Sequence, residues 1–199
     1  MNRKLLFIVG IVIAISSCTA MNKLTGMGVV TQEISTFDNA TIIEVSPNFL
    51  YDPGSTWGTA IQLGARWSSA APDSVALILS YRSNVSSGSA YLNFSGLKIN
   101  IDGTISSYST GQPTNLSSSA YNTVTHTIYT SSENSIVVPY SVLESMVAAK
   151  DCRLRINTVK GYQDVSFSTE HFFGGSATAI VSIKEFMSKV ADVRGNRKE

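Results

Sequence analysis

The side chains that most often carry chemistry are few in this chain, which has two histidines and two cysteines. His126 falls on the apolar side of an alternating stretch over residues 123–130, which predicts a strand with this histidine in the core or at a sheet edge. His171 follows Glu170 in a segment predicted to be a loop. No HxH, HExxH, CxxC or GxSxG motif accompanies them. The sequence therefore predicts no metal site and no cofactor, and it carries no standard hydrolase motif.

Cys152 begins a stretch that alternates apolar and polar residues. Leu154 and Ile156 share its parity, while Arg153 and Arg155 have the opposite parity. This pattern predicts a half-buried strand with the thiol in the core. Two alternatives stay open, a nucleophilic thiol and a disulfide between two copies of the chain.

The other cysteine, Cys18, ends a short N-terminal pattern. Arg3 and Lys4 precede an apolar run over residues 5–15, and two small residues then lead to Cys18. A basic start, a short apolar segment and a small-residue cleavage site are the parts of a secretory signal peptide. A helix over residues 5–15 would be about 16 Å long, well short of the roughly 30 Å hydrocarbon core of a membrane. We therefore expect a cleaved signal rather than a permanent span.

The triplet Ile15-Ser16-Ser17 before Cys18 resembles the lipobox of bacterial lipoproteins. The resemblance implies that the Cys18 thiol receives a diacylglyceryl group, that cleavage occurs before Cys18, and that the new amine is usually acylated. It also implies that the protein is anchored to the outer membrane on its periplasmic side, because a threonine rather than an aspartate follows the cysteine. Two or more acyl chains hold a protein on a membrane stably. The alternative is an ordinary signal peptide cut after Ala20.

Segments of the mature chain are similar to a group of uncharacterised bacterial lipoproteins. The segments are residues 48–51, 60–67, 72–77, 138–139 and 160–164. The similarity implies one coherent fold and no particular activity.

Charge and length limit the possible functions. Removing residues 1–17 takes Arg3 and Lys4 from the 15 basic residues and nothing from the 14 acidic ones. The mature chain is therefore nearly neutral and has no field that would steer nucleic acid. Its length suits one domain with a substantial core. The expected division is a lipoprotein signal peptide over 1–17, lipidated Cys18 and a flexible tether over 18–40, a single β-rich globular domain over 41–193, and a polar tail over 194–199.

Turn residues divide the domain into strands. A first strand over 41–45 is expected to end before Pro47, and Gly96 suggests a bulge within a later strand. Asp102-Gly103 predicts a hairpin with a type I′ turn, and Lys160-Gly161 predicts a second hairpin. Residues 111–120 are predicted to form a loop. The strands come first and the helices late, which favours an α+β fold, mainly an antiparallel β-sheet or sandwich of about seven to eight strands with two late helices packed on it.

Two helices are predicted near the C-terminal end. Ser141 and Glu144 form a capping box, which predicts a helix over residues 142–149. Ser176 is the expected N-cap of the last helix. The apolar residues of that helix recur at helical spacing: Ile180, Ile183, Phe186, Met187 and Val190.

Aromatic residues are the remaining candidates for a binding site, because their faces stack on sugars and peptides. Trp57 follows Gly54 in a Gly-containing loop and is the predicted ligand-binding residue. Trp67 has the parity of the apolar face of its strand, so we expect it in the core.

Together these patterns favour a membrane-anchored envelope lipoprotein that binds or scaffolds without catalysing a reaction. The expected partners are the membrane, through the lipid on Cys18, and an envelope protein or a cell-wall glycan. No nucleic acid partner is expected. The alternative is an envelope hydrolase whose site is assembled in space, for which His126, His171 and Asp164 are the residues to test.

Overall fold

A computed structural model describes residues 23, 25–54, 60–172 and 175–195 of the chain. The predicted signal peptide, Cys18 and Trp57 lie outside the described residues. Within the described part, ten strands and two helices form the domain. This confirms the predicted α+β class, with antiparallel sheets and two late helices.

The helices and strands have the following bounds. The strands are β1 Val30–Ile34, β2 Thr41–Phe49, β3 Ile61–Ser68, β4 Ser74–Asn84, β5 Phe94–Ile101, β6 Thr104–Ser109, β7 Asn115–Ser118, β8 Tyr129–Pro139, β9 Cys152–Thr158 and β10 Gly161–Ser166. The helices are α1 Tyr140–Ala148 and α2 Ala179–Gly195.

The strands form two antiparallel sheets. The six-stranded sheet has the order β1-β2-β3-β4-β8-β7, and the four-stranded sheet has the order β10-β9-β5-β6. Strands β5 and β6 contact β8, so the four-stranded sheet packs on one half of the larger sheet. Helix α2 packs on β2 and β3. One hydrophobic core lies between these layers.

Both predicted hairpins are confirmed. Asp102 and Gly103 have φ values of 48° and 96°, the positive pair that a type I′ turn requires, and they join β5 to β6. In the second hairpin the turn between β9 and β10 is Val159-Lys160, one residue earlier than predicted, and Gly161, with a positive φ of 154°, is the first residue of β10. The predicted irregularity at Gly96 is also present, since the β5–β9 register shifts between Phe94 and Gly96.

The prediction that Pro47 ends the first strand is wrong. Strand β2 continues to Phe49, and its register against β3 shifts between Val45 and Asn48. Pro47 therefore lies in a β-bulge, where a residue without an N–H is tolerated. Gly64 lies opposite, and a Cβ there would be 2.5 Å from the Val45 carbonyl oxygen.

The predicted tether over 18–40 is too long. Strand β1 pairs with β2, and Ser46 accepts hydrogen bonds from the backbone N–H groups of Gly28 and Val29. Lys23 forms an ion pair with Glu185 of α2 at 2.8 Å. Because most of β1 is exposed at the sheet edge, its sequence lacks the apolar alternation that marks a half-buried strand. The predicted polar tail also begins too early, since α2 extends to Gly195.

The expected strand over 123–130 is displaced. Residues 123–126 form a turn, and β8 starts at Tyr129. The inward-facing residues in its first half are polar. Thr130 donates to the Ala90 carbonyl, Ser132 accepts from the Leu92 N–H, and Asn134 donates to the Gln112 carbonyl. These bonds satisfy the backbone of loops that cover the first half of the strand, so the apolar pattern of its buried face begins only at Ile136. The predicted loop over 111–120 likewise contains β7, a short edge strand with only exposed residues.

Neither predicted helix cap forms. Helix α1 starts at Tyr140 with Pro139 at the N-cap, where φ is −56° and no side chain caps the helix, so Ser141 lies inside the first turn. Helix α2 starts at Ala179, three residues after Ser176. No helix among the described residues is long and apolar enough to cross a membrane.

The Gly64→Ala substitution tests the bulge. We expect it to lower the free energy of unfolding by about 1–3 kcal/mol, because the added methyl group overlaps the β2 backbone. Urea-induced unfolding followed by circular dichroism measures the effect. Gly111→Ala is the control, since a Cβ at Gly111 meets no atom within 4 Å. Equal stabilities of the two variants would refute the close approach.

Candidate functional site

A cleft of about 630 Å³ lies on the outer face of the four-stranded sheet. Strand β9 supplies the centre of its floor. Its residues alternate, so that Cys152, Leu154 and Ile156 are buried. Arg153 and Arg155 project from the opposite face into the cleft. One strand therefore contributes to both the core and the candidate site.

The register of the sheet arranges the floor in two rows. Residues directly opposite each other in antiparallel strands share a face, with Cβ atoms about 5 Å apart. From β6 to β10 the first row is Ser107, Lys98, Arg155 and Asp164, and the second is Ile105, Asn100, Arg153 and Ser166.

Arg155 is held by two neighbours. Its Nε and Nη2 atoms donate to the two carboxylate oxygens of Asp164, each at 2.7 Å, and its guanidinium lies 4.0 Å from the centre of the Tyr162 ring. The Arg155 hydrogen bond holds the pKa of Asp164 below its usual value, against a smaller effect of burial. The ion pair between Arg155 and Asp164 is therefore fully formed above the ordinary aspartate pKa. It is lost as the pH falls through the lowered pKa of Asp164.

Arg153 is held in a similar way by Asp151. Its Nε and Nη2 atoms lie 3.1 and 3.0 Å from the two oxygens of that carboxylate. The backbone N–H of Asp151 in turn donates to Asp102 Oδ1 at 2.9 Å, which fixes the start of β9 beside the β5–β6 turn. Both arginines on the floor are thus oriented before any ligand arrives.

Lys98 differs from the two arginines. It lies directly opposite Arg155, and like charges in that position repel. Asp164 neutralises Arg155, whereas Lys98 has no ion-pair partner among the described residues. In the described part of the chain, the charged residues that line the cleft are three cations and two carboxylates.

The segment that follows β2 forms one wall of the cleft. The Ser166 N–H donates to the Tyr51 carbonyl at 2.8 Å, and Gln163 Nε2 donates to Asp52 Oδ2 at 3.3 Å. Tyr51 and Pro53 line the cleft on this side. The predicted binding residue Trp57 follows in the sequence but is outside the described residues, so its role stays a prediction.

The residues proposed for hydrolysis are not brought together. His126 is exposed in the turn before β8, with Nδ1 at 3.3 Å from the Tyr121 hydroxyl, and not in the core or at a sheet edge as its parity predicted. His171 is exposed beside Ala177, after β10. Asp164 pairs with Arg155 on the four-stranded sheet, whereas the turn that holds His126 leads into β8 of the six-stranded sheet. Among the described residues, no three His, Cys, Asp or Glu side chains converge as metal ligands would.

Cys152 is buried, as its alternation predicted. Burial raises the pKa of its thiol to about 12, with smaller contributions from Asp151 and Asp102. A thiol with this pKa is a poor nucleophile at neutral pH. Trp67 is also in the core, as predicted, and its Nε1 donates to the Pro72 carbonyl at 3.0 Å.

The alternation of residues 152–157 predicted Arg153 and Arg155 on the polar face of their strand but gave no indication of a site there. The missing information was the pairing of β9 with β5, which are some 50 residues apart and bring Lys98 beside Arg155. The chain matches no family model, no curated protein and no solved structure. The resemblance to bacterial lipoproteins therefore remains a prediction.

Thiol reactivity tests the position of Cys152. In the Cys18→Ser chain, where Cys152 is the only thiol, we expect the folded protein to react with Ellman's reagent at pH 8 ~1,000-fold more slowly than the unfolded chain. The thiolate fraction falls by this factor when the pKa rises to about 12. The same chain in guanidinium chloride is the control. Equal rates in the two states would show an accessible thiol.

Proposed function

We propose that the protein is a lipid-anchored lipoprotein of the bacterial envelope whose domain binds an envelope protein or a cell-wall glycan without catalysing a reaction. The observation that supports binding is the cleft on the four-stranded sheet, with its oriented charged side chains. Its volume of about 630 Å³ lies within the range of about 300–1,000 Å³ that small-ligand sites occupy.

The arrangement of the floor favours recognition. Each arginine uses both oxygens of one carboxylate, which restricts its rotamers before a ligand binds. A ligand that contacts such side chains loses less conformational entropy than one that must order them. The sheet beneath is paired along its length and supplies a rigid base.

The proposed lipid anchor is inferred from the sequence around Cys18, and it determines how far the domain can lie from the membrane. Five peptide links separate Cys18 from Lys23, which pairs with Glu185 of α2. Fully extended, they reach at most about 18 Å. A lipid on Cys18 would therefore hold the domain close to the membrane surface rather than on the long tether that the sequence suggested.

Metabolic labelling with a palmitate analogue tests the anchor. We expect the wild-type protein to be labelled and the Cys18→Ser variant to lose the label and the membrane association, because the thiol is the acylation site in lipoproteins. Cys152→Ser is the matched control and should keep the label, since Cys152 is buried in the core. Label that persists in Cys18→Ser would exclude the proposed anchor.

Co-sedimentation with purified cell-wall sacculi and pull-down from envelope extracts test the cleft. We expect Arg155→Ala to reduce capture of the partner about tenfold, because it removes a charged donor and frees Asp164 to repel an anionic ligand.

Arg66→Ala is the control for this experiment. Arg66 is 49% exposed against 42% for Arg155, and it also pairs with carboxylates, but it lies in the six-stranded sheet. No capture by the wild-type protein in either assay, or an equal loss in the two variants, would refute binding through the cleft.

A further inference from the structure

The positively charged side chains of the cleft form only part of the hydrogen bonds and ion pairs that they could make. Among the described residues, Arg153 and Arg155 each use Nε and Nη2 for a carboxylate, and neither Nη1 forms a hydrogen bond or an ion pair. Lys98, opposite Arg155, has no ion-pair partner there. The floor thus keeps three unused donor groups and one excess positive charge.

From this arrangement we propose that the cleft binds a carboxylate-bearing saccharide, with the ligand carboxylate on Lys98 and the adjacent arginines. The inference rests on the binding role proposed above and names the class of ligand. An anion next to Lys98 relieves its repulsion from Arg155 and forms charge-assisted hydrogen bonds.

The remaining lining suits a sugar, because it combines polar groups with apolar surface. Asn100 Oδ1 accepts from the Gly103 N–H, which leaves the amide Nδ2 for a ligand. The hydroxyls of Ser166 and Thr169 bond each other at 3.0 Å and keep further hydrogen-bonding capacity, which suits a polyhydroxylated ligand. Tyr51 offers an aromatic ring at the wall, and sugar rings pack on such faces. Ile105, which is exposed on the floor, and Pro53 at the wall add apolar surface on which the C–H face of a sugar ring can pack.

Fluorescence polarisation with labelled trigalacturonic acid tests the proposal on the full chain purified in detergent. We expect binding that weakens as salt is raised, because the main contact is ionic. The methyl ester of the same trisaccharide should bind at least about tenfold more weakly, since it lacks the charge.

Lys98→Met should also weaken trigalacturonate binding about tenfold, and Lys98→Arg should restore most of it. Lys189→Met is the control, because Lys189 is an exposed lysine of α2 without an ion-pair partner among the described residues. Circular dichroism of each variant confirms that the fold is intact.

Three results would overturn the inference. Equal binding of the acid and its methyl ester would exclude the carboxylate contact, and unchanged binding by Lys98→Met would exclude Lys98. Stronger binding of a glutamate-rich peptide, lost in Arg155→Ala, would exclude the saccharide and leave the binding role intact. The sacculus and pull-down experiments test that role separately, because they do not depend on the chosen sugar.

Discussion

The position of β9 between β5 and β10 is the constraint on which both the core and the cleft depend. Both faces of this strand have a role. Its inward residues Cys152, Leu154 and Ile156 close the core, and its outward arginines form the cleft floor. A shift of one residue in its register would bury two arginines and expose three core residues. The apolar face therefore fixes where the charged face lies.

The rest of the fold holds this sheet in place. Strands β5 and β6 contact β8, and α2 covers the neighbouring strands β2 and β3. Polar groups also contribute, since Thr130 and Ser132 on the inner face of β8 bind the chain that leads into β5. Burial of apolar surface supplies most of the stability, and these hydrogen bonds determine how the covering loops lie.

Local patterns predicted the features that depend on local physics. The Asp102-Gly103 turn, the irregularity at Gly96 and the buried thiol of Cys152 follow from backbone conformation and alternation within a few residues. Tertiary context decided the rest. A bulge accommodates Pro47 within β2, and β1 is stabilised by edge pairing rather than by an apolar face. Predicting the cleft requires the register of four strands, and no single segment of the sequence determines that register.

The cleft can act as a binding site because the four-stranded sheet holds its outer charges in fixed positions before a ligand binds. The most direct test is an NMR titration of the Asp164 carboxylate in the wild-type protein and in Arg155→Gln. We expect a pKa below the ordinary aspartate value in the wild type, because Arg155 stabilises the charged form, and a return toward that value in the variant. An ordinary aspartate pKa in both proteins would show that Arg155 does not hold Asp164 in solution.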